Sequence, residues 1–378
     1  LYTGGFTVES TVNTKVQSAM ENLMLNTDDA YFPAGWHEEE VTSISDDDVQ
    51  VMNEDGTPKT RTGDDGTVYY YRNVRTQAAM VTLDYDGNVI AIVGGLGEKN
   101  KSLSLNRAYS VTRQTGSTIK PIASYSLAVE NDIIHFSSLV EDSPITITEN
   151  GVQRTWPVNF YGSYLGNITV NIAIQRSTNT IPVKLQQIIT PQVSFNFLKN
   201  KLGISTLVES RTENGRVLSD INLAPMALGE MTDGVTPLAM AGAYQIFGNG
   251  GIYTEPYSYT RVETADGTVI LEHTPISNRV ISSESATVLN HLLQGVTTGT
   301  YGTGTTAKFS AMPVAGKTGT SDNDNNQWFI GVTPYYVGVC WLGYDIPEQI
   351  RYYSYAPPII YKNIMGPIHQ NLAVVQFQ

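Results

Sequence analysis

Ser117 and Lys120 stand three residues apart in Gly116-Ser117-Thr118-Ile119-Lys120-Pro121, a spacing that stacks a hydroxyl and an amine on one helical face. Pro121 lacks a backbone N–H, which a helix tolerates only in its first turn, so the segment predicts a helix beginning at about Ser117. One turn away, the lysine is placed to take the serine's proton as the hydroxyl attacks an electrophile. It does so only as the neutral amine. A lysine of ordinary pKa, about 10.4, becomes a base near neutral pH when burial or a second cation lowers it. The pattern therefore asks for another positive group close by. A bare S-x-x-K also opens many helices whose lysine faces solvent, so the pair needs support from elsewhere in the chain.

That support comes from Ser177-Thr178-Asn179 and Lys317-Thr318-Gly319-Thr320. The three segments match, in order, the S-x-x-K, S-x-N and K-T-G elements of the penicillin-interacting serine enzymes. The surrounding text narrows the resemblance. Gly87-Asn88-Val89-Ile90-Ala91-Ile92-Val93-Gly94-Gly95, Asn106-Arg107-Ala108, Arg113-Gln114-Thr115-Gly116-Ser117 and Ala315-Gly316-Lys317-Thr318-Gly319-Thr320, followed by Trp328-Phe329-Ile330-Gly331, resemble the transpeptidase domain of class A, bifunctional penicillin-binding proteins. The resemblance covers roughly residues 76 to 370. Thr115 departs from it, standing where many relatives carry proline, and little consequence is expected.

The resemblance implies an acyl-serine DD-transpeptidase that cross-links peptidoglycan stem peptides, releases terminal D-Ala and is inhibited covalently by β-lactams. Ser117 is then the nucleophile and Lys120 the base. Lys317 supplies the second cation and a positive potential for the substrate's terminal carboxylate. Ser177 relays a proton to the leaving amine, while Asn179 holds Lys120 and bonds the substrate amide. On a strand Thr318 and Thr320 project to one side, where both hydroxyls reach a carboxylate, and Gly319 lets the substrate backbone lie close. The backbone N–H groups of Ser117 and Thr320 form the oxyanion hole by resemblance. Arg154-Thr155-Trp156-Pro157 is similar to a family segment bordering the cleft, which makes Trp156 a candidate flank for the substrate peptide; a tryptophan beside a proline serves packing equally well. The family also implies an N-terminal membrane anchor and glycosyltransferase domain ahead of this segment. That places the catalytic domain on the extracellular face of the bacterial cytoplasmic membrane.

Other chemistries find less support. None of the five histidines lies in a triad motif, G-x-S-x-G is absent, and one cysteine with no H-E-x-x-H leaves zinc without ligands, so no metal or cofactor is expected. The glycines between Thr298 and Thr306 form no phosphate-binding P-loop and read as a loop near the cleft. A β-lactamase needs a glutamate to activate water, and no glutamate motif stands out between Asn179 and Lys317. A carboxypeptidase, differing only in its acceptor, and a non-catalytic β-lactam sensor stay open.

The elements that position these residues follow from the pattern of the chain. Gln77–Asp84 and Asn88–Val93 read as a hairpin about Tyr85-Asp86-Gly87, and Lys317–Thr320, Trp328–Val332 and Tyr336–Trp341 as further strands. All are locally connected, which predicts an antiparallel sheet covered by helices, an α+β fold. Ile122, Ala123, Leu127 and Ala128 continue an apolar face behind Ser117. Residues 170–177 and 182–187 read as helices with Ser177 and Asn179 on the turn between them, and residues 181 to 300 read as mainly helical. Residues 1–75 are expected to be a linker with an amphipathic helix over Thr14–Met24 and a small β-rich region; residues 76–378 are expected to be the transpeptidase domain. The net charge of −13 argues against nucleic acid as a partner. The acidic runs Glu38-Glu39-Glu40 and Asp46-Asp47-Asp48 read as solvated loop.

Overall fold

The computed structural model describes residues 4–25, 37–44, 49–99, 102–149, 151–350 and 356–377. Five strands make the central sheet: β1 (Gln77–Leu83), β2 (Val89–Val93), β3 (Ala315–Thr320), β4 (Asn326–Val332) and β5 (Val337–Gly343). Their order is β3-β4-β5-β1-β2 and every pair is antiparallel, as the sequence predicts. The hairpin and the meander, far apart in sequence, join where β5 pairs with β1. β3, which carries the K-T-G residues, is left at an edge.

Apart from β3, these strands are mostly apolar because both faces of the sheet are covered. Trp328, Ile330, Val339, Trp341 and Val81 pack into one core, and Phe329, Cys340, Leu342 and Met80 into the other, following the two-residue alternation of a strand. Helices Thr180–Ile189, Pro237–Tyr244 and Ser283–Thr298 contribute to the first core. Thr14–Leu25 and Pro357–His369 cover the second face. Gly331 and Gly338 oppose each other in register, and a Cβ on them would meet the Tyr361 ring at 2.3 and 2.8 Å, so paired glycines make the slot into which the last helix docks.

The expected N-terminal helix is present and buries Val16, Met20 and Met24 in that second core. Residues 37–74 form a separate sheet in which His37–Val41, Val49–Gln50 and Thr60–Thr62 all pair with Val68–Val74. Glu38-Glu39-Glu40 is a strand rather than the expected loop, because each carboxylate finds a cation on this sheet: Lys59, Arg72 and Arg61 respectively. Asp46-Asp47-Asp48 lies outside the described residues. Residues 181 to 300 are less helical than their pattern predicts, with strands at Arg211–Glu213, Arg216–Leu218, Ile252–Thr254, Tyr259–Glu263, Val269–Glu272 and Ser277–Arg279. Asn214-Gly215 and Gly267 adopt positive φ and reverse the chain there, while Thr7–Ser10 supplies a distant strand partner for Tyr259–Glu263. Among the described residues no helix is long and apolar enough to cross a membrane.

Candidate active site

The segment carrying Ser117 is not the single regular helix expected. Gly116–Thr118 is a 3₁₀ turn, Pro121–Tyr125 a π-helical turn and Ser126–Glu130 an α-helix. Pro121 has no N–H to return to the Ser117 carbonyl, so a regular ladder is broken at that point. The Ser126 backbone N–H and hydroxyl both bond the Pro121 carbonyl instead. Two buried aromatic side chains hold the turn: Trp328 donates Nε1–H to the Gln114 carbonyl at 2.9 Å, and Tyr244 donates its hydroxyl to the Thr118 carbonyl at 2.5 Å. Thr115 has φ −83°, close to the value proline imposes, so threonine leaves the backbone path intact.

Lys120 and Lys317 are both buried, and among the described residues neither is bonded to a carboxylate. Lys120 Nζ lies 2.8 Å from the Ser177 carbonyl, 2.9 Å from the Thr178 carbonyl and 2.6 Å from Asn179 Oδ1. Lys317 Nζ donates to Ser177 Oγ at 2.7 Å and to the Thr318 carbonyl at 2.9 Å. Burial pushes Lys317 down to about 7. Burial, and next the charge of Lys317, push Lys120 well below its ordinary value. A neutral Lys120 has one lone pair free to take a proton. As an ammonium it has N–H donors for the acceptors around it, so this shell accommodates the charged form as well as the neutral one. Ser177 sits at φ +54°, in the left-handed region, which presents its hydroxyl to Lys317 while its carbonyl faces Lys120.

Behind this turn lies a residue that no sequence pattern signalled. The buried Asp142 carboxylate accepts from Thr180 Oγ1 at 2.5 Å, Asn159 Nδ2 at 2.8 Å, the Leu165 N–H at 2.9 Å and Tyr161 Oη at 3.1 Å. Burial works to raise its pKa, but the bonds from Thr180, Asn159 and Leu165 outweigh that and hold it below the usual carboxylate range. Asn159 Oδ1 in turn accepts the Asn179 N–H at 2.7 Å, so Asp142 orients the S-x-N turn through Asn159. Asn179 Nδ2 donates to the Val158 carbonyl at 2.7 Å.

At the free edge of β3, the Ser321 N–H bonds the Asn326 carbonyl within the sheet, so by alternation the Thr320 peptide turns outward. Its carbonyl meets the turn carrying Ser117 directly: a Cβ on Gly116, which has φ +51°, would lie 2.2 Å from Thr320 O. Gly319 has a packing task as well. A Cβ there would lie 2.6 Å from the Thr115 carbonyl and 2.7 Å from Thr118 Cγ2, so this glycine admits the turn carrying Ser117 against the strand. Thr318 bonds Thr303 at 2.6 Å between hydroxyls, which brings the glycine- and threonine-rich loop to the site.

A cavity of about 950 Å³ gathers Ser117, Ser177, Asn179, Thr318, Gly319 and Thr320, with Lys120 and Lys317 buried behind them. Arg176, next to the S-x-N motif, also lines it, as do Phe160, Glu230 and Gln327, which carried no sequence signal because only tertiary packing brings them here. Trp156 does not line it. That side chain packs against the cluster of Val183, Ala227 and Leu228, one layer behind the cavity wall, which favours packing over the groove role considered for it. A second cavity of about 530 Å³, lined by residues such as His37, Arg72 and Glu348, holds none of the motif residues.

Residues 77–366 match the model of the penicillin binding protein transpeptidase domain. The chain is 37% identical over 314 residues to penicillin-binding protein 1A of Clostridium acetobutylicum, a match covering 80% of this chain and 37% of that protein. It therefore spans little more than a third of the length of that relative. Among solved structures, penicillin-binding protein 1A from Haemophilus influenzae superposes with a TM-score of 0.72 at 20% identity, covering 99% of this chain and 68% of that one. PonA1 from Mycobacterium tuberculosis in complex with penicillin V superposes with a TM-score of 0.71 at 21% identity, covering 100% and 89%.

Proposed function

This chain belongs to the penicillin-binding protein transpeptidase domain family, and from that premise we propose that it is an acyl-serine DD-transpeptidase acting on peptidoglycan stem peptides. The observation that carries the reading is the meeting, in one cavity, of Ser117, the Ser177–Lys317 hydrogen bond and the outward edge of β3, with Lys120 buried behind. Ser117 attacks the penultimate D-Ala carbonyl as Lys120 takes its proton. The N–H groups of Ser117 and Thr320 hold the developing oxyanion, donors of a kind typically worth about 2.7 to 4 kcal/mol each. Ser177, bonded to Lys317, hands a proton to the departing D-Ala nitrogen. An amine of a neighbouring stem then takes the acyl group and Ser117 is restored.

Thr318 and Thr320 read the terminal carboxylate under the positive potential of Lys317. A β-lactam offers the same carboxylate and a strained carbonyl, and its nitrogen stays tethered after ring opening, so the acyl-enzyme persists. The whole protein, in this reading, carries an N-terminal glycosyltransferase domain and a membrane anchor, and works on the outer face of the bacterial cytoplasmic membrane. Intact mass after exposure to penicillin, with the labelled peptide mapped, tests the assignment. A single adduct on Ser117 is expected, with none in Ser117→Ala; a label retained by that variant overturns it. Sustained turnover of an acyl-D-alanine thioester separates the enzyme from a β-lactam sensor, which acylates once.

A further inference from the structure

The walls of the catalytic cavity differ in charge. Lys120 and Lys317 stand behind Ser177, whereas Glu230, Asp322 and Asp324 line the cavity together with Gln327. Glu230 is held close to the nucleophile turn on both sides. A Cβ on Gly229 would lie 2.3 Å from the Gly116 carbonyl, and Gln114 reaches the Met231 carbonyl at 3.5 Å. Burial, and next the charge of Asp322, lift Glu230 to about 7, so near neutral pH its carboxyl both accepts and releases a proton. Gln327 pairs in register with Thr320, which places the two side chains on one face of the sheet. It is only 6% exposed, and its side-chain oxygen is buried without a hydrogen-bond partner although the residue lines the cavity.

A carboxylate and an unpartnered amide oxygen, both lining the cavity that holds Ser117, suit a ligand that brings N–H donors and positive charge. We propose that Glu230 and Gln327 form the subsite for the attacking amine of the acceptor, a primary ammonium on a neighbouring stem, and that Glu230 takes its first proton. The proposal rests on the transpeptidase reading and adds the base for its second half. The ammonium gives one proton to the Glu230 carboxylate. The freed amine attacks the Ser117 ester carbonyl, the C–N bond forms and the C–O bond to Ser117 breaks. The second proton leaves the nitrogen and is delivered to Ser117 Oγ through Lys120, and the new amide keeps the third. Glu230 then loses its proton to solvent. Asp322 and Asp324 add to the negative potential that draws the cation in.

The test measures how one acyl-enzyme divides between two acceptors, so changes in acylation rate cancel. The protein is acylated from an acyl-D-alanine thioester in the presence of glycinamide, and amide and acid products are counted. In the wild type both form. Glu230→Gln, equal in shape, is expected to lower the amide-to-acid ratio by about tenfold or more, as loss of a general base does. Gln327→Met, which tests the subsite from the strand side, is expected to raise the glycinamide concentration giving half-maximal transfer. An unchanged ratio in Glu230→Gln overturns the subsite alone. A ratio that rises overturns it too, since Glu230 then activates water. A wild type that penicillin acylates but that forms no amide overturns the transpeptidase reading together with the subsite.

Discussion

Burial of Lys317 ties the chemistry of the site to the stability of the fold. Its pKa is about 7 in the folded chain against an ordinary 10.5, so between those values the unfolded chain binds a proton that the folded chain does not. Stability then rises with pH across that window, and it is lost as pH falls toward 7. Unfolding by denaturant at pH 7.5 to 9 should show a rise that Lys317→Met flattens, by up to about 1.4 kcal/mol per pH unit. Equal slopes in the two proteins would mean that Lys317 stays protonated in its buried place. Asp142 makes the opposite case of a charge fully engaged. Asp142→Ala leaves Thr180, Asn159 and the Leu165 N–H without their acceptor, and each buried donor so stranded costs about 1 to 3 kcal/mol. A loss of at least about 3 kcal/mol in the same denaturant series is the expected outcome, and a loss under about 1 kcal/mol would show that water replaces the carboxylate freely.

The element that carries Ser117 is a composite of three helical turns wedged against an edge strand, and two glycines permit the contact. Gly116 admits the Thr320 carbonyl, and Gly319 admits the Thr115 carbonyl. π-helical turns are uncommon and concentrate at functional sites, where they trade regular bonding for the placement of one side chain. In Gly319→Ala the new methyl would lie 2.6 Å from the Thr115 carbonyl, so the turn or the strand must move. A displacement near 1 Å in a catalytic arrangement lowers rates on the order of 100-fold. Penicillin acylation in Gly319→Ala should fall by about that factor while circular dichroism stays native, since one methyl at a strand edge leaves the two cores intact. Acylation at the wild-type rate would mean that the turn yields without moving Ser117.

At the scale of the whole molecule the sheet needs both of its helical layers. Ile360, Tyr361, Ile364 and Met365 of the last helix are almost wholly buried on one face. Side chains of that size contribute roughly 1.5 to 3 kcal/mol each on burial, so removing the four gives up about 6 to 12 kcal/mol. Domains have only about 5 to 15 kcal/mol to lose. A chain ending at Ala356 should therefore be recovered unfolded or aggregated, read by size-exclusion chromatography, and a soluble monomer with a cooperative melt would contradict this account of the second core. The helix Thr14–Leu25 contributes to that same core from the other end of the sequence. We accordingly propose that the small region is the sheet of residues 37–74 and that the N-terminal helix belongs, by its packing, with the catalytic unit.

Local chemistry made much of this protein legible from sequence. S-x-x-K, S-x-N and K-T-G are short motifs whose spacing within each segment is set by the chain itself, and the five core strands are bounded by turn residues that act on their neighbours alone. The strand pairing of Thr7–Ser10 with Tyr259–Glu263, the composite helix at Ser117 and the docking of Pro357–His369 depended on partners hundreds of residues away or on backbone bonds that Pro121 forbids. The same holds at the site. That Lys120 is buried among three acceptors, that Gly319 faces Thr115, that Trp156 packs behind the wall, and that Glu230 and Gln327 line the cavity are all consequences of burial and close approach. Those properties belong to pairs of segments, and they exist only once tertiary structure has put both members of each pair in place.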